Sequence, residues 1–170
     1  MPTYIALLRA VNVGGTGKLP MAELAEICGE AGCKNVQTYI ASGNVVFDSK
    51  ASPSKVKTEL ERRLHAHMGK PVGVMVRTVS EMKAVLKANP FPKAESKFNV
   101  VIFLDEAPPR DALKHVTGQK EEKIRLGKRE IFVHYGSGMG RSKLKIPAAK
   151  TGTARNMNTV AKLVEMAEIK

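Results

Sequence analysis

The sequence predicts an α+β fold made of two split βαβ units with mainly antiparallel sheets. Three observations predict it. Residues 1–77 read β-α-β-β-α-β, residues 78–170 read β-α-β-β-α, and each half carries a hairpin signal between two short β-rich runs. A length of 170 residues suits two small fused cores of this kind. The expected subdomains are therefore residues 1–77 and 78–170, the second finishing on a helix where the first finishes on a strand.

The elements follow in order. Residues 3–9 alternate poorly but are aliphatic, as a strand buried on both faces would be. Val13 to Lys18, with three glycines, is a loop. Pro20 then opens a helix with Met21, Leu24, Ala25, Ile27 and Cys28 on one face, stopped at Gly32. Residues 36–41 and 44–48 flank Ser42-Gly43, a hairpin turn. Ser52-Pro53 caps a second helix whose Val56, Leu60, Leu64 and Met68 share a face, and Gly69 ends it. Residues 72–77 form another β-branched run.

In the second half, Thr78 and Glu81 have capping-box spacing ahead of a short helix with Met82, Val85 and Leu86, ended by Asn89-Pro90. Residues 98–104 are a strongly apolar strand. Pro108-Pro109 is expected to open a helix through Leu113 and Val116, stopped by Gly118. Residues 123–126 and 131–135 flank Gly127-Lys128, a second hairpin. The last helix is expected to start near Thr153 and to bury Met157, Val160, Ala161, Val164 and Ala167.

Net charge is +12, and it is graded along the chain. Residues 1–50 carry four basic and four acidic side chains, 51–109 ten and six, and 110–170 fourteen and six. A basic C-terminal half favours a polyanionic partner. No apolar run approaches the roughly 20 residues that span a bilayer, and no secretory leader is visible, so no membrane is expected and a cytoplasmic address follows by default. Cys28 and Cys33 have no adjacent histidine and so make no zinc pattern, no disulfide is expected in a reducing compartment, and the pair reads as small, partly buried thiols. The four histidines share no spacing. His65 and His67 point about 200° apart around one helix, so neither a metal nor a cofactor is expected.

Three polar clusters stand out. Val13 to Lys18 sits between strand and helix, but Leu19 and Pro20 follow the lysine where a P-loop needs a hydroxyl for magnesium, which excludes that motif. Asn12, Gly14 and Gly15 remain secondary binding candidates, with Ser42 and Asn44 of the first hairpin. The third cluster pairs Arg141, Ser142 and Lys143 with Thr153, Arg155, Asn156, Asn158 and Thr159. Five of the seven residues 153–159 are polar at an expected helix start, where free N–H groups and the helix dipole favour an anion. These eight residues form the expected phosphate site.

Four segments in order, residues 4–15, 38–47, 140–144 and 153–159, resemble the bacterial "domain of unknown function 1697" family over essentially the whole chain. The resemblance implies two ferredoxin-like α+β subdomains and no established activity. Ala10 stands where the family usually has glycine, and Met157 where it usually has tryptophan.

The leading expectation is a non-catalytic protein that binds a phosphate-bearing partner, nucleic acid first among them. Its chemistry would be phosphate contact rather than base stacking, since only Tyr4 and Phe47 could act as aromatic platforms. The alternatives are an enzyme or sensor for a small phosphorylated or nucleotide-like metabolite held between the subdomains, and a protein-interaction module. Whether any reaction is catalysed stays open, as does the oligomeric state.

Overall fold

A computed structural model describes residues 1–13, 18–92, 98–136 and 139–169. The chain forms two compact units, residues 1–84 with 162–170 and residues 85–161. Each holds one four-stranded antiparallel sheet.

In the first unit the strands are β1 (Thr3–Leu8), β2 (Lys34–Tyr39), β3 (Asn44–Asp48) and β4 (Val74–Thr78). Their order is β2-β3-β1-β4, the split βαβ arrangement. Ile5 lies opposite Val46 on one side and Arg77 on the other, which fixes the register of the central strand. Helices α1 (Met21–Glu30) and α2 (Pro53–Met68) join the core on one face, where Leu24, Ile27, Leu60 and Leu64 pack with Tyr4, Ala6, Leu8, Val45 and Phe47. The other face, with Ile5, Leu7, Val46, Met75 and Arg77, is buried as well. Burial on both faces explains why β1 reads as a continuous apolar run without alternation.

Local signals set the helix ends. Ser52 accepts a hydrogen bond from the Lys55 N–H at 3.3 Å, Pro53 opens α2, and Gly69 closes it in the left-handed conformation. α1 ends in a Schellman motif: Gly32 has φ +91°, its N–H donates to the Gly29 carbonyl, and the Cys33 N–H donates to the Cys28 carbonyl at 3.0 Å. Helix α3 (Val79–Ala88) begins with the expected capping box. The Glu81 N–H donates to Thr78 Oγ1 at 3.1 Å, and the Thr78 N–H donates to Glu81 Oε1 at 2.9 Å.

The second unit repeats the topology with little helix. Strands β5 (Asn99–Phe103), β6 (Lys123–Leu126), β7 (Glu130–His134) and β8 (Thr153–Asn156) lie in the order β6-β7-β5-β8. Val100, Ile102, Ile124, Ile131, Val133 and Ile146 form its core. The fold is thus α+β, with two split βαβ units and antiparallel sheets throughout the described residues.

Three expectations fail here. Pro108-Pro109 opens no α-helix; only a 3-10 turn forms, at Ala112–His115. Leu113 is 44% exposed, so this segment lacks the apolar stripe that would hold a short helix against a sheet. The last helix, α4, spans Met157–Glu168 and starts four residues later than expected. Thr153–Asn156 is instead the closing strand that the second half was thought to lack, paired with β5 through Val101–Arg155 and Phe103–Thr153. Ala161, expected inside, is exposed.

Candidate functional site

Arg141 closes a 3-10 turn at Met139–Arg141, and Ser142 and Lys143 continue from it between β7 and β8, alongside residues 117–122. Lys145 and Thr117 exchange both backbone hydrogen bonds, at 2.8 and 3.0 Å. Gly118, at φ +72°, lets the two segments close up, because a Cβ there would overlap the Lys143 carbonyl oxygen. The buried Glu122 carboxylate ties the segments a second time. It accepts from Ser142 Oγ at 2.6 Å and from the Lys120 N–H at 2.6 Å. The Ser142 hydroxyl, followed by the backbone donors, holds this carboxyl below the usual carboxylate range.

This frame gathers cations. Lys120, Lys123, Arg125, Arg141, Lys143 and Lys145 are all exposed on it or on β6 next to it. Arg141, Lys143 and Lys145 form no ion pair among the described residues. Ser142 thus has a structural part, anchoring the loop that carries its two charged neighbours. Sequence reasoning missed Lys120, Lys123, Arg125 and Lys145. The signal that could have found them was the basic spacing of residues 120–125 together with the turn glycine at 118.

The rest of the expected phosphate site lies elsewhere in the unit. Thr153 and Arg155 share one face of β8, and both are buried. Arg155 keeps 8% of its surface, shares that face with Val101 and Phe132, and donates to the Ala154 carbonyl at 2.8 Å. Loss of water lowers its pKa to about 10, so it stays charged near neutral pH. Asn156 is the N-cap of α4, its Oδ1 accepting the Thr159 N–H at 2.9 Å. Thr159 is buried, and Asn158 is exposed on the first turn. The polar density of residues 153–159 therefore divides into a strand, a cap and one solvent-facing amide, rather than one anion-binding helix mouth.

The secondary candidates are engaged with the backbone. Asn12, at φ +57°, donates to the carbonyls of Leu19 (2.9 Å) and Ala41 (2.8 Å) and accepts the Leu19 N–H at 2.7 Å. It clamps both ends of the glycine loop to the first hairpin. Gly14 and Gly15 lie outside the described residues. Asn44 is buried and donates to the Tyr39 carbonyl and to Ser42 Oγ, both at 2.9 Å. No helix among the described residues is long and apolar enough to cross a membrane.

Strand order 2-3-1-4 in both sheets defines the class: a protein of two ferredoxin-like α+β units. The chain belongs to the family described as "Protein of unknown function (DUF1697)", which it matches over residues 1–132. It is also similar to a solved structure titled "The structure of conserved bacterial protein SP0830 from Streptococcus pneumoniae", with 27% identity, 98% of each chain covered and a TM-score of 0.81. No curated protein matches it. The basic loop at residues 141–145 lies beyond the stretch matched by the family.

Proposed function

We propose that this protein binds the phosphate backbone of nucleic acid through the basic surface of its second unit. The observation that carries the reading is the frame at residues 117–125 and 141–145. It presents six exposed cations against two carboxylates, Glu122, buried and hydrogen-bonded, and Glu121, exposed beside it. Arginine would grip phosphate oxygens with two donors, and the lysines would act as point charges. Affinity would come from counterion release and carry little sequence preference. A small phosphorylated ligand is less well supported, because Asn12 and Asn44, its candidate hydrogen-bonding amides, are engaged by backbone carbonyls.

The test is anisotropy of labelled single- and double-stranded oligonucleotides across a salt series. Wild type is expected to bind with a steep negative slope of log K against log salt. Replacing Arg141 and Lys143 by alanine is expected to flatten that slope by about 2 for duplex, at roughly 0.9 per phosphate contact. Absence of binding at physiological salt would sink the reading.

A further inference from the structure

The Schellman turn that ends α1 places two cysteines in a relation that neither the charge pattern nor the basic surface uses. Cys28 occupies the third-last helical position and Cys33 the second position beyond the cap, the two sites whose side chains meet in this motif. With the Cys33 N–H 3.0 Å from the Cys28 carbonyl oxygen, ordinary bond lengths keep the two Cα atoms within about 7 Å. A disulfide needs roughly 4.4–6.8 Å, so the backbone already sits at bridging range. Both thiols are free.

Their surroundings differ. Cys28 is fully buried; Cys33, also buried at 6% exposure, borders a cavity of about 460 Å³ with Ser54, Lys55, Thr58 and Glu59. We propose that Cys28 and Cys33 form a reversible thiol–disulfide site, oxidised by a hydroperoxide that reaches Cys33 through this cavity. The Cys33 thiolate attacks a peroxide oxygen, the O–O bond breaks, and the departing oxygen leaves as water or alcohol with a proton. Cys33 is now a sulfenic acid. The Cys28 sulfur then attacks the Cys33 sulfur, the S–O bond breaks, and water leaves with the Cys28 proton. Two thiols lose two electrons to one hydroperoxide, and a thiol reductant reverses the change.

The order of attack follows from access, since Cys33 borders the cavity and Cys28 does not. The neighbouring Cys28 thiol also lowers the Cys33 pKa, while Cys33, and then burial, raises the Cys28 pKa. Cys33 is thus the nucleophile and Cys28 the resolving thiol. Directly after Cys33 the β2–β3 register shifts between Lys34 and Gln37, and Asn35 sits at φ +52°. This irregular start of β2 gives the backbone room to take up the bond.

Both cysteines fall in one tryptic peptide, residues 19–34. Folded protein treated with graded hydrogen peroxide should yield this peptide lighter by two hydrogens, restored by dithiothreitol. In Cys28→Ser, dimedone should capture a sulfenic acid at Cys33. In Cys33→Ser, Cys28 should react at least about tenfold more slowly than Cys33 does in wild type. Three results would overturn the proposal: oxygen atoms added to cysteine with no disulfide, a bridge formed between chains, or a bridge appearing only in urea that unfolds the protein. If a serine variant misfolds, the wild-type comparison of native and urea-unfolded protein decides alone.

Discussion

Ala10 sits at φ +55°, in the left-handed region where a Cβ is crowded by its own backbone. That geometry favours glycine at this position. Ala10→Gly is expected to raise stability by about 1 kcal/mol, read as an upward shift of the urea midpoint at constant slope. Asn12 is the opposite case. Its left-handed backbone is compensated by three side-chain hydrogen bonds, so Asn12→Ala should cost about 2–3 kcal/mol in the same measurement. Glu122 supplies a pH signature. Its carboxyl is lowered from 4.5 in the fold, so the stability it contributes is complete above that value and is lost as pH falls through the lower, folded value. Ser142→Ala removes the largest cause of that shift. Wild type and variant should therefore differ in melting temperature at pH 6–7 and converge under acid conditions; a constant gap would refute this account.

At the level of elements, short-range chemistry was legible and long-range pairing was not. The Thr78–Glu81 box, the Ser52-Pro53 cap and the glycine stops at 32 and 69 are decided within four or five residues, and each forms as read. Thr153–Asn156 is decided by β5, some fifty residues away, so three polar residues and an alanine could not announce a strand. That single misreading also displaced much of the candidate site, because Arg155 faces a buried sheet surface and Asn156 is a cap. Asn156→Ala should accordingly behave as a cap deletion. A loss of about 1 kcal/mol is expected, with faster amide exchange confined to the first turn of α4. Uniformly faster exchange through β8 would instead make Asn156 a strand residue first.

For the molecule as a whole, a charge of +12 leaves open whether binding would be local or diffuse. Paired charge reversals separate the two. Lys143→Glu with Lys145→Glu and Lys34→Glu with Lys50→Glu change net charge equally, and all four residues are exposed. A local surface predicts that only the first pair abolishes oligonucleotide binding at moderate salt. Equal losses would mean that net charge alone drives association.

The strand order has a further consequence, in the time domain of synthesis. In each sheet the strand made first, β1 or β5, ends up in the middle, and its partners are made later: β3 and β4 for one, β7 and β8 for the other. A nascent chain paused after residue 48 can complete one side of β1 while the other waits for residues 74–78. For that interval Ile5 and Leu7 lie on an open edge, where strand-to-strand association between neighbouring nascent chains competes with folding. The translation speed between residues 48 and 78 therefore bears on the yield of folded protein, through a vulnerability that the finished molecule no longer displays.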